Sequence, residues 1–155
     1  MEFMKEAIKQ AKKAASIGEV PIGAVIVHKG DIIARGYNKR ETKKNALLHA
    51  EVVAIDKACK KLGGWRLPEC EMYVTLEPCP MCMGAIISAR IDKLFYGAPD
   101  EKSGACKSVC DISGILPHKV EVTGGVMEEE CKKLLHDFFK NLRELKKERK
   151  NRNEI

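Results

Sequence analysis

The chain has 155 residues, 45% of them hydrophobic and 32% charged, and a formal net charge of +6. One domain with a real core fits that length, and the composition predicts a soluble globular protein. Seven cysteines are an odd number for a disulfide framework, and no apolar run approaches a membrane span. The opening Met1-Glu2-Phe3-Met4-Lys5 is amphipathic and lacks the apolar core of a signal peptide, so the expected compartment is a reducing cytoplasm.

Met4, Ile8, Ala11 and Ala15 recur on one face and predict a helix over residues 3–17, stopped at Gly18. Residues 21–27 read as an apolar strand, turned at Lys29-Gly30-Asp31 into a second strand, Ile32-Ile33-Ala34. Residues 39–44 are polar and basic and predict a loop. A helix follows His49, its apolar face drawn by Val52, Ile55, Cys59 and Leu62 and its end marked by Gly63-Gly64. Residues 72–76 predict a strand that delivers Cys79, and residues 81–90 a helix. The small residues Gly84, Ala85, Ser88 and Ala89 of that helix suit close packing. Short strands are expected at 93–97 and 120–123, and a long closing helix from about 128 to 149. Strands alternating with helices imply a single α/β layer structure with a partly parallel sheet.

Chemistry concentrates in two places, His49-Ala50-Glu51 and Pro78-Cys79-Pro80-Met81-Cys82. One imidazole and two thiolates suit zinc and leave its fourth position open for water. Pro80 fits the first position of a helix, which puts Cys79 near the cap and Cys82 in the first turn. The positive helix end favours the thiolate that a metal binds. Glu51 stands beside the open position as a proton carrier. A lone C-x-x-C also serves redox pairs and structural zinc sites. A structural site needs a closed fourth ligand, and no second close-spaced Cys/His pair is evident. Cys106 and Cys110 lie in a Gly/Ser-rich stretch, and with Cys59, Cys70 and Cys131 they read as small buried apolar groups. The pattern H-x-E…P-C-x-x-C is the signature of zinc deaminases.

The closing helix is basic from Lys140 onward, through Arg143, Lys146, Lys147, Arg149, Lys150 and Arg152, against Glu144, Glu148 and Glu154. A solvated helix with cations at its C-terminal end accounts for this run. Phe139 and Arg143 lie four apart on one face, however, and pair a stacking ring with a phosphate-seeking guanidinium.

Nearly the whole chain resembles the bacterial tRNA-specific adenosine deaminases of the cytidine deaminase superfamily. The residues that carry the resemblance include Glu19-Val20-Pro21-Ile22-Gly23-Ala24-Val25, Gly36-Tyr37-Asn38, His49-Ala50-Glu51 and Thr75-Leu76-Glu77-Pro78-Cys79. Trp65-Arg66-Leu67, Gly97-Ala98-Pro99-Asp100 with Lys102, and Asp137-Phe138-Phe139 narrow it to the tRNA branch. The resemblance implies a three-layer α/β/α fold around a mixed five-stranded sheet, a homodimer, and one catalytic zinc per chain. It implies conversion of the wobble adenosine of a tRNA anticodon stem-loop to inosine. By position, His49, Cys79 and Cys82 would be metal ligands and Glu51 the catalytic proton shuttle. Asn38 would contact the flipped nucleotide beside a wall formed by Val20 and Pro21. Asp100, Lys102, Phe139 and Arg143 would meet the flanking nucleotides. The segment Lys44-Asn45-Ala46-Leu47-Leu48 departs from the Asp-Pro-Thr-Ala usual in bacterial members. Relatives that deaminate guanine and other free bases share the zinc motifs and form the enzymatic alternative. A catalytically silent nucleic-acid-binding subunit is disfavoured, because it has no need of Glu51.

Overall fold

The computed structural model describes residues 2–153; Met1 and Glu154, both used in the sequence reading, lie outside them. Helix α1 spans Glu2–Ser16, and the hairpin β1 (Gly23–His28) and β2 (Asp31–Tyr37) follows it. Helix α2 (Ala50–Leu62) leads to β3 (Cys70–Leu76) and α3 (Pro80–Ser88). Strands β4 (Lys93–Ala98) and β5 (Glu121–Thr123) precede the closing helix α4 (Glu128–Asn153). The five strands form one sheet in the order β2-β1-β3-β4-β5. The pairs β1/β2 and β1/β3 are antiparallel, whereas β3/β4 and β4/β5 are parallel. The sheet is therefore mixed, as the alternation of predicted elements requires.

Side-chain alternation along the central strands splits the core into two layers. Ala24, Ile26, Met72, Val74 and Leu94 pack with residues of α2 and α3 on one face. Val25, Val27, Tyr73 and Phe95 pack on the other, with Met4, Ala7 and Ile8 of α1 and Cys131 and Leu134 of α4. Tyr73 and Phe95 stack across the parallel pair with ring centroids 4.6 Å apart. Helix α2 presses so closely on β2 that a Cβ at Gly36 would sit 2.6 Å from the Ala50 carbonyl and 2.8 Å from the Ala54 nitrogen. Glycine at that strand position thus fixes the height of α2, and with it the start of the helix where His49 stands.

Two helix faces differ from the sequence expectation. The buried side of α2 is Ala50, Glu51, Val53, Ala54 and Ala58, so Val52, Ile55 and Cys59 are only half-buried and Leu62 is exposed. In α3 the buried residues are Cys82, Met83, Ile86 and Ile87, while Gly84 and Ala85 are half-buried and Ser88 is exposed. Both cases have one cause. Apolar and small residues occupy two sides of each helix, and periodicity does not tell which side the sheet covers.

Candidate active site

His49 and Cys79 occupy equivalent positions in the two helices that share a face of the sheet. Each is the N-cap residue of its helix, His49 with φ −67° and ψ 155° before α2 and Cys79 with φ −74° and ψ 172° before α3. Neither side chain caps its own helix, so both are free to turn into the space between the helix starts. Pro80 takes the first position of α3, where no N–H is needed, and sets Cys82 one turn in. The His49 Nδ1 lies 3.5 Å from the Cys82 sulfur and 3.7 Å from that of Cys79. All three ligand atoms fall within 4.8 Å of one another.

The spacing fits a tetrahedral ion. Bonds of about 2.0–2.1 Å to imidazole nitrogen and about 2.3 Å to thiolate sulfur, opened to the tetrahedral angle, put nitrogen and sulfur about 3.6 Å apart. The donor set is soft and three-membered, which leaves a fourth position for a non-protein ligand.

Glu51 is the second residue of α2, in its first turn, and is only 4% exposed. Burial drives its carboxyl up to about 7, and the nearby Cys79 sulfur pushes in the same direction. The Cys82 thiol holds the Cys79 sulfur in a hydrogen bond, which lowers Cys79 to about 4 and raises Cys82. His49 is raised, chiefly by its hydrogen bond to Cys79. A buried carboxyl whose pKa is raised by desolvation, next to the ligand sulfurs, is the kind of group that carries protons in general acid–base catalysis.

Of the remaining sequence candidates, four share a groove whose lining includes none of the cluster residues. Val20, Asp100, Lys102 and Phe139 all line one groove of about 530 Å³, together with Leu76 and Pro99. Phe139 is 41% exposed there and meets Phe138 edge-on, with centroids 5.4 Å apart. Asn38 is buried; its side-chain nitrogen donates to the Val20 carbonyl at 3.4 Å and its oxygen accepts the Arg40 N–H at 3.2 Å. Pro21 is buried beside it, and Arg143 is exposed further along α4. Trp65 stands apart. It is 55% exposed, with Arg66 4.2 Å and Arg90 5.6 Å from its ring. It follows the C-terminal end of α2, about 20 Å along the helix axis from His49.

Two acidic residues that the sequence reading quoted only within motifs prove to be structural anchors. Glu19 accepts the N–H groups of Glu41 and Thr42, and Glu77 gathers those of residues 100 and 106–108. Each precedes a proline by one or two residues, Glu19 in the link between α1 and β1 and Glu77 directly after β3. A charged residue in that setting is the signal that marks a buried anchor.

A five-stranded mixed sheet flanked by four helices, with His, Cys, Cys and Glu gathered at two helix starts, defines a deaminase of the cytidine deaminase type. The model of the MafB19-like deaminases matches residues 1–143. The tRNA-specific adenosine deaminase of Bacillus subtilis is 52% identical over 147 residues, covering 94% of this chain and 91% of that protein. A structure from a study of A-to-I editing by tRNA:A34 deaminases at the wobble position superposes with a TM-score of 0.81. It is 41% identical and covers 86% of this chain and 99% of its own. A guanine deaminase structure from Bacillus subtilis reaches a TM-score of 0.62 at 47% identity, over 63% of each chain. The chain belongs to the family of tRNA-specific adenosine deaminases.

Proposed function

We propose that this protein hydrolyses the wobble adenosine of a tRNA anticodon to inosine, with residues 1–155 acting as one deaminase domain. The observation that carries the chemistry is the placement of Glu51, nearly fully buried and hydrogen-bonded to the Cys82 thiol of the ligand set. Zinc is the ion the donor set suits, one per chain on His49 Nδ1 and the sulfurs of Cys79 and Cys82. When bound, it supplies a hydroxide nucleophile near neutral pH. Glu51 moves the protons. Its carboxylate takes one as water adds to C6 of adenine and hands it to ring N1. It then carries the proton of the new C6 hydroxyl to the 6-amino group, so that the C6–N bond breaks, ammonia leaves and the C6 carbonyl of inosine forms. Water is consumed and ammonia released, so the conversion is redox-neutral.

The adenosine reaches Glu51 only if it leaves its stack, which a single-stranded loop permits at low cost. Asn38 and the wall of Val20 and Pro21 are proposed to hold the flipped base. The neighbouring groove brings Asp100 and Lys102 opposite Phe139, a cation and an aromatic ring suited to the flanking nucleotides. Arg143 extends the same helix toward phosphate. The 52% identity to a tRNA-specific deaminase over nearly the whole chain favours this substrate. The shorter likeness to a guanine deaminase supports free-base deamination as the second reading.

The half-buried apolar side of α2 (Val52, Ile55, Cys59) and of α3 (Met81, Ala85), with exposed Leu47 and Ile115, is the face proposed to meet a second copy. Light scattering across a dilution series tests the homodimer. All seven cysteines are free thiols; Cys70, Cys106 and Cys131 are buried as expected, whereas Cys59 is half-buried and Cys110, in the turns after β4, is exposed. No described helix is long and apolar enough to cross a membrane; the cytoplasm is the proposed compartment. Glu51→Ala tests the catalytic assignment. The variant is expected to retain one zinc per chain and to lose inosine formation by about 10²–10⁴-fold, the usual scale for general acid–base catalysis. Full activity in the variant, or an active metal-free wild type, would end the assignment.

A further inference from the structure

Glu77 is 1% exposed and sits at the end of β3, between Leu76 of the groove and Cys79 of the ligand cluster. Its carboxylate makes no ion pair among the described residues. It accepts backbone N–H groups instead, from Asp100 at 3.1 Å on Oε1, and from Cys106 at 3.1 Å, Lys107 at 2.9 Å and Ser108 at 3.0 Å on Oε2. The Ser108 hydroxyl donates to Oε1 as well. Every donor comes from residues 100–108, a segment of turns in which residues 101–103 and 107–108 are exposed. Gly104 lies so close that a Cβ there would collide with the carboxylate. The segment is thus wound around a buried anion, whose charge is met by converging N–H dipoles.

The consequence reaches the groove. With its N–H pinned by Glu77, Asp100 turns its own carboxylate back on the loop, accepting from Lys102 N–H at 3.1 Å, Ser103 N–H at 3.2 Å and Ser103 Oγ at 2.8 Å. Those bonds set the turn that puts Asp100 and Lys102 on the groove opposite Phe139. One strand end therefore carries both a metal ligand and the anchor of the loop that would read flanking nucleotides.

We propose that Glu77 is a positioning residue: its carboxylate holds residues 100–108 in the shape that presents Asp100 and Lys102 to the RNA, and it sets substrate binding without taking part in proton transfer. This rests on the reading that the groove receives an anticodon loop. Glu77→Gln keeps the side-chain size but turns a donor toward the converging N–H groups. Gly104→Ala displaces the loop from the opposite side and leaves the carboxylate intact. Glu77→Asp keeps the charge on a shorter stem.

The test combines two measurements on zinc-loaded full-length protein. Trypsin cleavage at Lys102 and Lys107, followed by mass spectrometry, reports the loop without any substrate. Steady-state kinetics on an anticodon stem-loop separate KM from kcat. Both Glu77→Gln and Gly104→Ala are expected to speed cleavage by about tenfold or more and to raise KM by a similar factor, the scale of losing charged hydrogen bonds. The kcat should stay within about threefold, since Glu51 performs the chemistry, and Glu77→Asp should fall between wild type and Glu77→Gln. A loss confined to kcat, or unchanged cleavage in both variants, would overturn the proposal. A wild type inactive on the stem-loop would instead count against the RNA reading, with the cleavage arm still judging the loop.

Discussion

The Glu19 carboxylate accepts the backbone N–H of Thr42 at 2.7 Å, across 23 residues of chain. A second bond, from Glu41 N–H at 3.2 Å, completes the clamp, and Glu19 is 1% exposed. It holds the basic loop after β2 in place ahead of His49, as Glu77 holds the loop after β4. Burial alone would raise its pKa, but the bonds from Thr42 and Glu41 outweigh burial and hold the carboxyl below its ordinary 4.5.

A depressed folded-state pKa gives stability that is present above the unfolded value and lost as pH falls through the folded one. Glu19→Gln should therefore destabilise the protein at pH 7.5, by about 1.5–3 kcal/mol for hydrogen bonds to a charged acceptor. The gap to wild type should narrow as pH falls below 4.5. Urea unfolding of both proteins at pH 7.5 and near pH 3.5 measures it. A gap independent of pH would show that Glu19 contributes shape and not charge.

The ligand cluster makes a prediction about stability as well as chemistry. Three donors drawn from two helix starts would, with an ion bound, add a further link between α2 and α3 to the His49–Cys79 and His49–Cys82 contacts. Removing zinc with a strong chelator should lower the thermal midpoint, since an ion present at 100–1,000 times its Kd contributes about 2.7–4 kcal/mol. Cys82→Ser should show a weakened response to the chelator. Identical melting with and without chelator in the wild type would argue against a metal at this site.

Much of this was legible in the sequence, for identifiable reasons. The ligands were readable because C-x-x-C after a strand and before a proline-started helix fixes its geometry locally. The sheet followed from alternating elements, and the observed boundaries agree within about two residues except at β2, which runs on to Tyr37, and at the far end of α4. The faces of α2 and α3 were not readable, because Val52, Ile55 and Cys59 mark apolar character but not what covers it. The anchoring roles of Glu19 and Glu77 were hidden for another reason: their partners lie 22–31 residues downstream. Trp65 belonged to the motif that narrowed the resemblance, yet it sits at the far end of α2.

The basic tail should serve binding and not folding. Residues 140–153 are exposed throughout, and Cys131 is the buried residue of α4. Reversing Lys146, Lys147, Arg149 and Lys150 to glutamate should leave the unfolding free energy within about 0.5 kcal/mol. RNA affinity should drop, and the slope of log K against log salt should flatten by about 0.7 for each phosphate no longer neutralised. Filter binding of a labelled stem-loop across a salt series reads both. Unchanged affinity and slope would return the tail to a solvated helix end.

At the centre of the proposed function, Glu51 acts on an adenosine splayed from an anticodon loop and not on a free base. The direct measurement offers one enzyme preparation two kinds of substrate under the same conditions. The first is an anticodon stem-loop with adenosine at the wobble position; the second is guanine, adenine, cytosine and their nucleosides, each supplied alone. Inosine is quantified in the RNA and ammonia in every reaction. Inosine is expected in the stem-loop at concentrations where no free compound releases ammonia. Rapid ammonia release from guanine or a free nucleoside, with the stem-loop adenosine intact, would contradict the assignment.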